Sequence, residues 1–396
     1  MKIIIHSFFA IYLLTGLHHS IAMEWPSSSS ASHSFIPNSA TKRPRPQAEK
    51  EILVPTERSP KKTKSESFDP FLPLNGGKLE LLTTIEDHDN FFVDALSKAQ
   101  QSILITTHAL TSMDEEIFSL LQKKSSAGLK IWIFSAEIEE DIERDLKSLR
   151  IYPCLMPIHA KIIGIDNKLV ALGSFNWLSK QYDNSIDPSI VIHNSQSAQK
   201  ILQEFWQRKT DYKKLIEFDE EDEAGLERYT HQISRKFSIN PKPLSISPLP
   251  FQIELLSTPD QHHQFLIECF KRAEKKIVIY SRFISKDAQF LYSLLEALNI
   301  NAFIQRGGIL EIICQRATVE ERILKQALAV YKMISWISVN SLHSKALIVD
   351  DGKITTVGSY NWFSSAMDFG DDYALLETTL IFKGQGGSWL ATGLQL

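Results

Sequence analysis

A chain of 396 residues is longer than one ordinary hydrophobic core accommodates and matches two domains with additional segments. Its 43% hydrophobic and 23% charged residues exclude disorder throughout, and 43 basic against 47 acidic residues, a net charge of -4, exclude a histone-like mode of partner binding. Three cysteines (Cys154, Cys269 and Cys314) without metal-ligand spacing exclude a disulfide scaffold or zinc module; each reads as a small buried hydrophobe.

The first segment, 1–22, pairs Lys2 with an apolar stretch, Ile3 to Leu14, and closes on Ser20-Ile21-Ala22. A charged start, a short apolar run and small residues at the cleavage positions read as a cleavable signal peptide, ahead of an uncleaved anchor. The chain is thus expected to be exported, to a periplasm or to the outside. Residues 23–75 hold four consecutive serines, Ser27 to Ser30, and many prolines without hydrophobic periodicity; they read as an unstructured linker. Two basic clusters within it, 42–46 and 58–64, match nuclear-import or anionic-surface patches, but the plainer reading is a solvated linker. Export followed by nuclear-type clusters would suit delivery into another cell.

From residue 76 the chain repeats itself. Phe92 to Ile105 is a helix running into a strand, and Leu266 to Ile279 matches it, with Ala95 and Ala99 answered by Cys269 and Ala273. Each is followed by a second helix and a Gly-led strand, starting at Gly128 and Gly308. Helices alternating with strands, twice over, predict two α/β domains, 76–215 and 249–396. An acidic and Pro-rich stretch, 216–248, joins them.

The last repeated element carries the chemistry. His159-Ala160-Lys161 leads through Asp166 to Gly173-Ser174-Phe175-Asn176-Trp177, and His343-Ser344-Lys345 leads through Asp350 to Gly358-Ser359-Tyr360-Asn361-Trp362. Histidine and lysine two apart on a strand share a face. Asp166-Asn167 and Asp351-Gly352 are hairpin-turn dipeptides, and folding about them sets Ser174 opposite His159 and Ser359 opposite His343, with Asn176 and Asn361 on the same face. Each copy thus collects an imidazole, an ammonium, a hydroxyl and a carboxamide. That set suits a phosphodiester: Lys161 and Lys345 supply positive charge in place of a metal, and the asparagines and serines donate to oxygens whose charge grows in the transition state. A neutral imidazole can attack phosphorus and an imidazolium can protonate a leaving alkoxide, so two facing copies complete what one lacks. Asp187 and Asp372 each lie eleven residues after the motif asparagine and are candidates to hold a histidine Nδ1 proton. Asp166 and Asp350, at the turns, are expected to brace the hairpins.

The doubled His-x-Lys-x4-Asp with Gly-Ser-x-Asn resembles the phospholipase D superfamily, over about Leu79 to Glu377. The resemblance implies two tandem α/β/α sandwiches related by a pseudo-two-fold axis, with the site at their interface and both motifs on one chain, so that no oligomer is required. It implies a covalent phosphohistidine released by water or another alcohol, with His159 as nucleophile, His343 as general acid, and no cofactor. Lys161, Lys345, Asn176 and Asn361 would then grip the phosphoryl oxygens, with Ser174 and Ser359 in support. Two departures stand out: that family often has Glu where Asp187 and Asp372 stand, and the second copy ends in a Gly-rich stretch, Gly384 to Gly387, where the first has an amphipathic helix. The second half is therefore expected to lack its last helix.

Three functions fit: a phospholipase D acting on phospholipid head groups at a membrane surface, a metal-independent nuclease cutting DNA or RNA, and an inactive interaction protein. The last is weakest, because every motif position is filled twice. Apart from the N-terminal 75 residues and the six acids of 217–223 the chain is about neutral, and a nucleic-acid enzyme would show a basic footprint. The balance favours lipid. Phe175, Trp177, Tyr360 and Trp362 read as core or pocket-wall aromatics rather than base-stacking platforms. His108 and Arg282, just after the first strand of each half, read as satisfied surface or core residues.

Overall fold

The computed structural model describes residues 71–74, 76–179, 187–218, 244–247, 252–282, 284, 288–315, 324–325, 328, 334–339, 342–363 and 376–394. The signal segment, the two basic clusters and Asp372 lie outside the described residues. Those described belong to one compact unit, and no described helix is long and apolar enough to cross a membrane.

The first half opens with an antiparallel pair, β1 (Phe71–Leu74) and β2 (Gly77–Leu82), then α1 (Ile85–Lys98), β3 (Ser102–Leu110), α2 (Glu115–Ser126), β4 (Lys130–Ile138), α3 (Glu140–Ser148) and β5 (Cys154–Leu155). A hairpin of β6 (Lys161–Ile165) and β7 (Leu169–Gly173) follows, then β8 (Ser189–His193) and α4 (Ser195–Phe218). The second half repeats the order with β9 (Leu244–Ser247), β10 (Gln252–Leu256), α5 (Pro259–Arg272), β11 (Lys276–Ser281), α6 (Ala288–Leu298), α7 (Ile300–Gln305), β12 (Ile309–Gln315), β13 (Ile334–Val339), β14 (Ala346–Val349), β15 (Ile354–Gly358), β16 (Thr379–Lys383) and α8 (Gln385–Leu394). Each half holds one eight-stranded mixed sheet, in the order β1-β2-β8-β7-β6-β3-β4-β5 and its counterpart β9-β10-β16-β15-β14-β11-β12-β13.

The strands are apolar on both faces because both faces are covered. In β3, Ile103 and Ile105 enter an outer core under α1 and α2, whereas Leu104 between them enters a central core. In β11, Ile277 and Ile279 face outward and Val278 and Tyr280 inward. The central core is continuous between the halves, joining Leu172 and Ile190 of the first sheet to Val357 and Leu380 of the second. This is the expected pair of α/β/α sandwiches. Thr84 and Thr258 start α1 and α5 with reciprocal capping boxes, through Asp87 and Gln261.

Three boundary expectations change. The N-terminal linker gives way at Phe71 to β1, and the 216–248 joint contains the last turn of α4 and strand β9. The second half also has its final helix, α8, in spite of its glycines. Here the lack of a side chain is a packing requirement: a Cβ on Gly387 would lie 2.4 Å from the Gly352 carbonyl oxygen. Thr355 Oγ1 donates to the Gly387 carbonyl at 2.8 Å, which fixes the helix against the hairpin turn.

Candidate active site

The site is built by the two hairpins and the strand that follows each. The β6–β7 turn has Asp166 and Asn167 in the left-handed region, as a tight primed hairpin requires. Asp166 accepts the backbone N–H groups of Gln100, Gln101 and Ser102 at 2.9, 2.7 and 2.9 Å. Asp350 accepts those of Glu274, Lys275 and Lys276 at 2.9, 2.7 and 3.1 Å. Burial alone would raise both carboxyls, but these donors outweigh it and hold them below their usual range. Both aspartates brace the hairpins, as expected, by tying each turn to the start of β3 or β11.

The hairpin register differs by one residue from the sequence-based folding. Lys161 pairs with Gly173, and β7 ends there, so Ser174 does not stand across from His159. The same offset holds in the second half, where Ile348 pairs with Thr355. The serines turn instead to the segment before the next strand. The Ser174 N–H donates to Pro188 O at 3.0 Å and the Ser359 N–H to Thr378 O at 2.9 Å. Ser359 Oγ donates in a short contact to Glu377 Oε2 and accepts the Thr378 N–H at 3.0 Å.

The histidines are held across the interface. His159 Nδ1 lies 2.8 Å from Glu377 Oε1 in the other half. His343 Nδ1 makes a short contact with Asp187 Oδ1, also in the other half. The carboxylate on His159 is therefore Glu377, which the spacing from the asparagine did not single out. Counting from the asparagines misplaced it, because the second connecting segment is five residues longer. Counting back from the following strand finds it, since Asp187 and Glu377 each stand two residues before β8 and β16. The segment that positions Glu377 pairs with the one that carries the first motif: the N–H groups of His159 and Ala160 donate to Leu376 O at 2.9 and 2.7 Å.

The lysines fold back on their own motifs, Lys161 Nζ donating to His159 O and Lys345 Nζ to His343 O, both at 2.5 Å. Both are buried, with 0% and 1% of their surface exposed. Burial, reinforced by Lys345, lowers Lys161 well below the usual lysine value, and burial brings Lys345 down to about 7. Burial and the two ammonium groups likewise push His159 well down and His343 to about 3. Burial lifts Glu377 to about 7 against the pull of Lys161 and Ser359. Each half's charges thus act on the other's groups, as a single shared site requires.

Asn361 is buried and its Oδ1 accepts the Arg282 N–H at 3.1 Å; Asn176 is half-buried at the matching position. His108 and Arg282 belong to this site rather than to surface or core. The His108 ring centroid is 5.1 Å from that of His159, edge-on, and the Arg282 charge bears on both lysines. The four motif aromatics are core, as expected: Trp177 and Trp362 are 1% and 0% exposed and pack against α1 and α5.

Lys161, Lys345 and Arg282 face two carboxylates, Asp187 and Glu377, and this cationic excess favours an entering phosphodiester anion.

The family model described as cardiolipin synthase, PLD-like domain, matches residues 92–209 and again 266–383. No curated protein sequence matches the chain. Among solved structures, the phosphatidylserine synthase of Haemophilus influenzae Rd KW20 superposes with a TM-score of 0.53 at 14% identity, over 82% of this chain and 86% of that one. Polyphosphate kinase from Porphyromonas gingivalis gives a TM-score of 0.48 at 14% identity, over 76% and 44%. Nuc of Salmonella typhimurium, a phospholipase D family member, gives 0.28 at 23% identity over 34% and 94%. With both halves matched at the elements that carry the paired histidines, the chain belongs to the phospholipase D-like family.

Proposed function

We propose that the protein is a phosphodiesterase that hydrolyses the head-group diester of a phospholipid through a covalent phosphohistidine, without a metal. The observation that carries this reading is the crossed pairing of His159 with Glu377 and His343 with Asp187. A carboxylate at Nδ1 fixes the tautomer and leaves both Nε2 atoms for chemistry. His159 Nε2 attacks phosphorus with its lone pair. The P–O bond to the head group breaks, and the leaving oxygen takes the proton of the His343 imidazolium. Water then gives a proton back to His343 and its oxygen attacks phosphorus; the P–N bond breaks, phosphatidic acid leaves and His159 returns to its neutral form. Lys161, Lys345, Asn176 and Asn361 hold the non-bridging oxygens, and the negative charge of the bound diester beside His343 favours the imidazolium that serves as the acid.

Three features support a lipid. The chain outside its N-terminal segment and acidic joint is about neutral. The family model's description names a cardiolipin synthase, and cardiolipin is a phospholipid. Before His159, Leu155 of the edge strand β5 and Tyr152 just ahead of it are exposed, at 61% and 71%, as side chains a membrane would cover. A signal-type N-terminus fits a reaction outside the cytoplasm of the producing cell. The nuclease reading keeps the same site, but with Trp177 and Trp362 buried the motif offers no stacking platform.

The test is a parallel assay in EDTA of phospholipid vesicles and of DNA and RNA, with His159→Ala as control. Phosphatidic acid from vesicles alone supports the reading. Cut nucleic acid alone replaces it with the nuclease, and no product in either tube rejects both.

A further inference from the structure

Behind the four groups already described, each half carries another histidine, and the two match. His88 in α1 and His262 in α5 stand four residues after the capping threonines Thr84 and Thr258, and both are 0% exposed. His88 Nδ1 lies 2.6 Å from Thr84 O, and His262 Nδ1 lies 2.7 Å from Thr258 O. A carbonyl oxygen only accepts, so Nδ1 carries the proton in both rings and, in a neutral ring, Nε2 is left as an acceptor. That acceptor faces a hydroxyl: His88 Nε2 is 3.0 Å from Ser189 Oγ, and His262 Nε2 is 2.9 Å from Thr379 Oγ1.

Ser189 and Thr379 stand two residues after Asp187 and Glu377, the carboxylates that hold the opposite half's histidine. The hydroxyls fit because the strand beside them lacks a side chain: a Cβ on Gly173 would lie 2.5 Å from Ser189 Oγ, and one on Gly358 would lie 2.4 Å from Thr379 Oγ1. The same imidazoles stack on the aromatic residue between the motif serine and asparagine. Phe175 lies 4.0 Å from His88 at 14°, and Tyr360 lies 4.2 Å from His262 at 23°. One buried ring thus fixes both the carboxylate strand and the Ser-x-Asn loop. A phenylalanine would stack as well and would bury no polar nitrogens, so stacking alone does not account for a histidine twice.

We propose that His88 and His262 are positioning residues, His88 setting the Asp187–His343 pair and His262 setting the Glu377–His159 pair. The proposal rests on the phosphodiesterase reading and deepens it, because the crossed geometry gives the two residues different kinetic roles. His88 acts through the general acid and His262 through the nucleophile. Substitution of His88 therefore slows formation of the phosphohistidine only where the leaving group needs a proton, and slows its hydrolysis for any diester, whereas substitution of His262 slows attack on any diester.

The variants are His88→Phe and His262→Phe, which keep stacking and volume, with His88→Gln and His262→Gln as conservative replacements that can still donate and accept. Two diesters are compared, one losing an alkyl alcohol and one losing p-nitrophenolate, which departs without protonation. The burst of p-nitrophenolate reads the attack step alone. His88→Phe is expected to lower alkyl-ester turnover roughly 10–100-fold and the burst less than about 3-fold. His262→Phe is expected to lower both about equally, and glutamine to recover part of each loss. Exchange of the two patterns would keep the positioning roles and reverse nucleophile and acid. Equal losses in both variants on both substrates, or none, would overturn the proposal.

A readout free of turnover accompanies this. Ring 15N spectra of the full chain should show His88 and His262 protonated at Nδ1 and bare at Nε2. The His159 Nδ1 proton should move in His262→Phe and stay in His88→Phe. If wild type cleaves neither diester, the phosphodiesterase reading fails while this spectrum still decides the positioning; unmoved ring protons would reject it.

Discussion

The two halves share an order of elements but not the way they hold the partner histidine. The first half presents Asp187 on a short connecting segment, and this carboxylate reaches His343 directly. The second half presents Glu377, one methylene longer, on a segment five residues longer, and ties its second oxygen to Ser359. Ser174, the counterpart of Ser359, reaches the Pro188 carbonyl instead. The neighbours differ too, with His108 beside His159 where Arg282 stands in the second half. A duplicated frame has thus kept its contacts while its side chains diverged, as expected when two copies of one motif serve different steps.

The largest expected effect tests whether the halves make one site. His159→Ala and His343→Ala should each lower turnover by roughly 10^4-fold or more, with the double variant little worse than either. Multiplying losses would divide the site into two. Next come the carboxylates. Asp187→Asn and Glu377→Gln permit the wrong imidazole tautomer and should each cost about 10^2–10^4-fold in kcat. The asparagine variant should recover in the p-nitrophenolate burst and the glutamine variant should not; identical behaviour would erase the functional difference between halves.

A smaller effect separates frame from chemistry. Asp166→Ala and Asp350→Ala each strand three backbone N–H groups and should cost on the order of 3 kcal/mol in denaturant unfolding, with kcat of the folded fraction unchanged. The smallest effect concerns pH. Burial lowers His88 and His262 to about 4, against 6.5 for a free histidine. Between those values the unfolded chain binds a proton at each site and the folded one does not, so stability is full above 6.5 and falls as pH drops toward 4. Replacing either residue with Phe should flatten that slope by about 1.4 kcal/mol per pH unit, equally in the two halves. Unequal changes would show that the matching rings sit in unmatched surroundings.

Much of this was legible in the sequence because the repeat supplied its own control: Lys161 and Lys345, or Asn176 and Asn361, confirm each other without coordinates. Glu377 escaped because sequence spacing survives along a strand but not across a connecting segment of changed length. The hairpin register escaped because a turn dipeptide marks the bend without fixing the pairing. The last helix was misjudged because Gly386 and Gly387 read as helix breakers, whereas a helix lying on a backbone turn needs them. His88 and His262 lie four residues before the matched lead-in, at the same offset as its other residues, and extending the comparison back to Thr84 and Thr258 would have included them.

The crossed carboxylates also make the paired site a coincidence detector. Each histidine takes its working tautomer from the other half, so a gap of a few ångströms between the halves would release both at once rather than leave one competent. Activity would then follow closure of the interface as an all-or-none signal. A lone half, however well folded, would carry a complete sequence motif and no poised nucleophile.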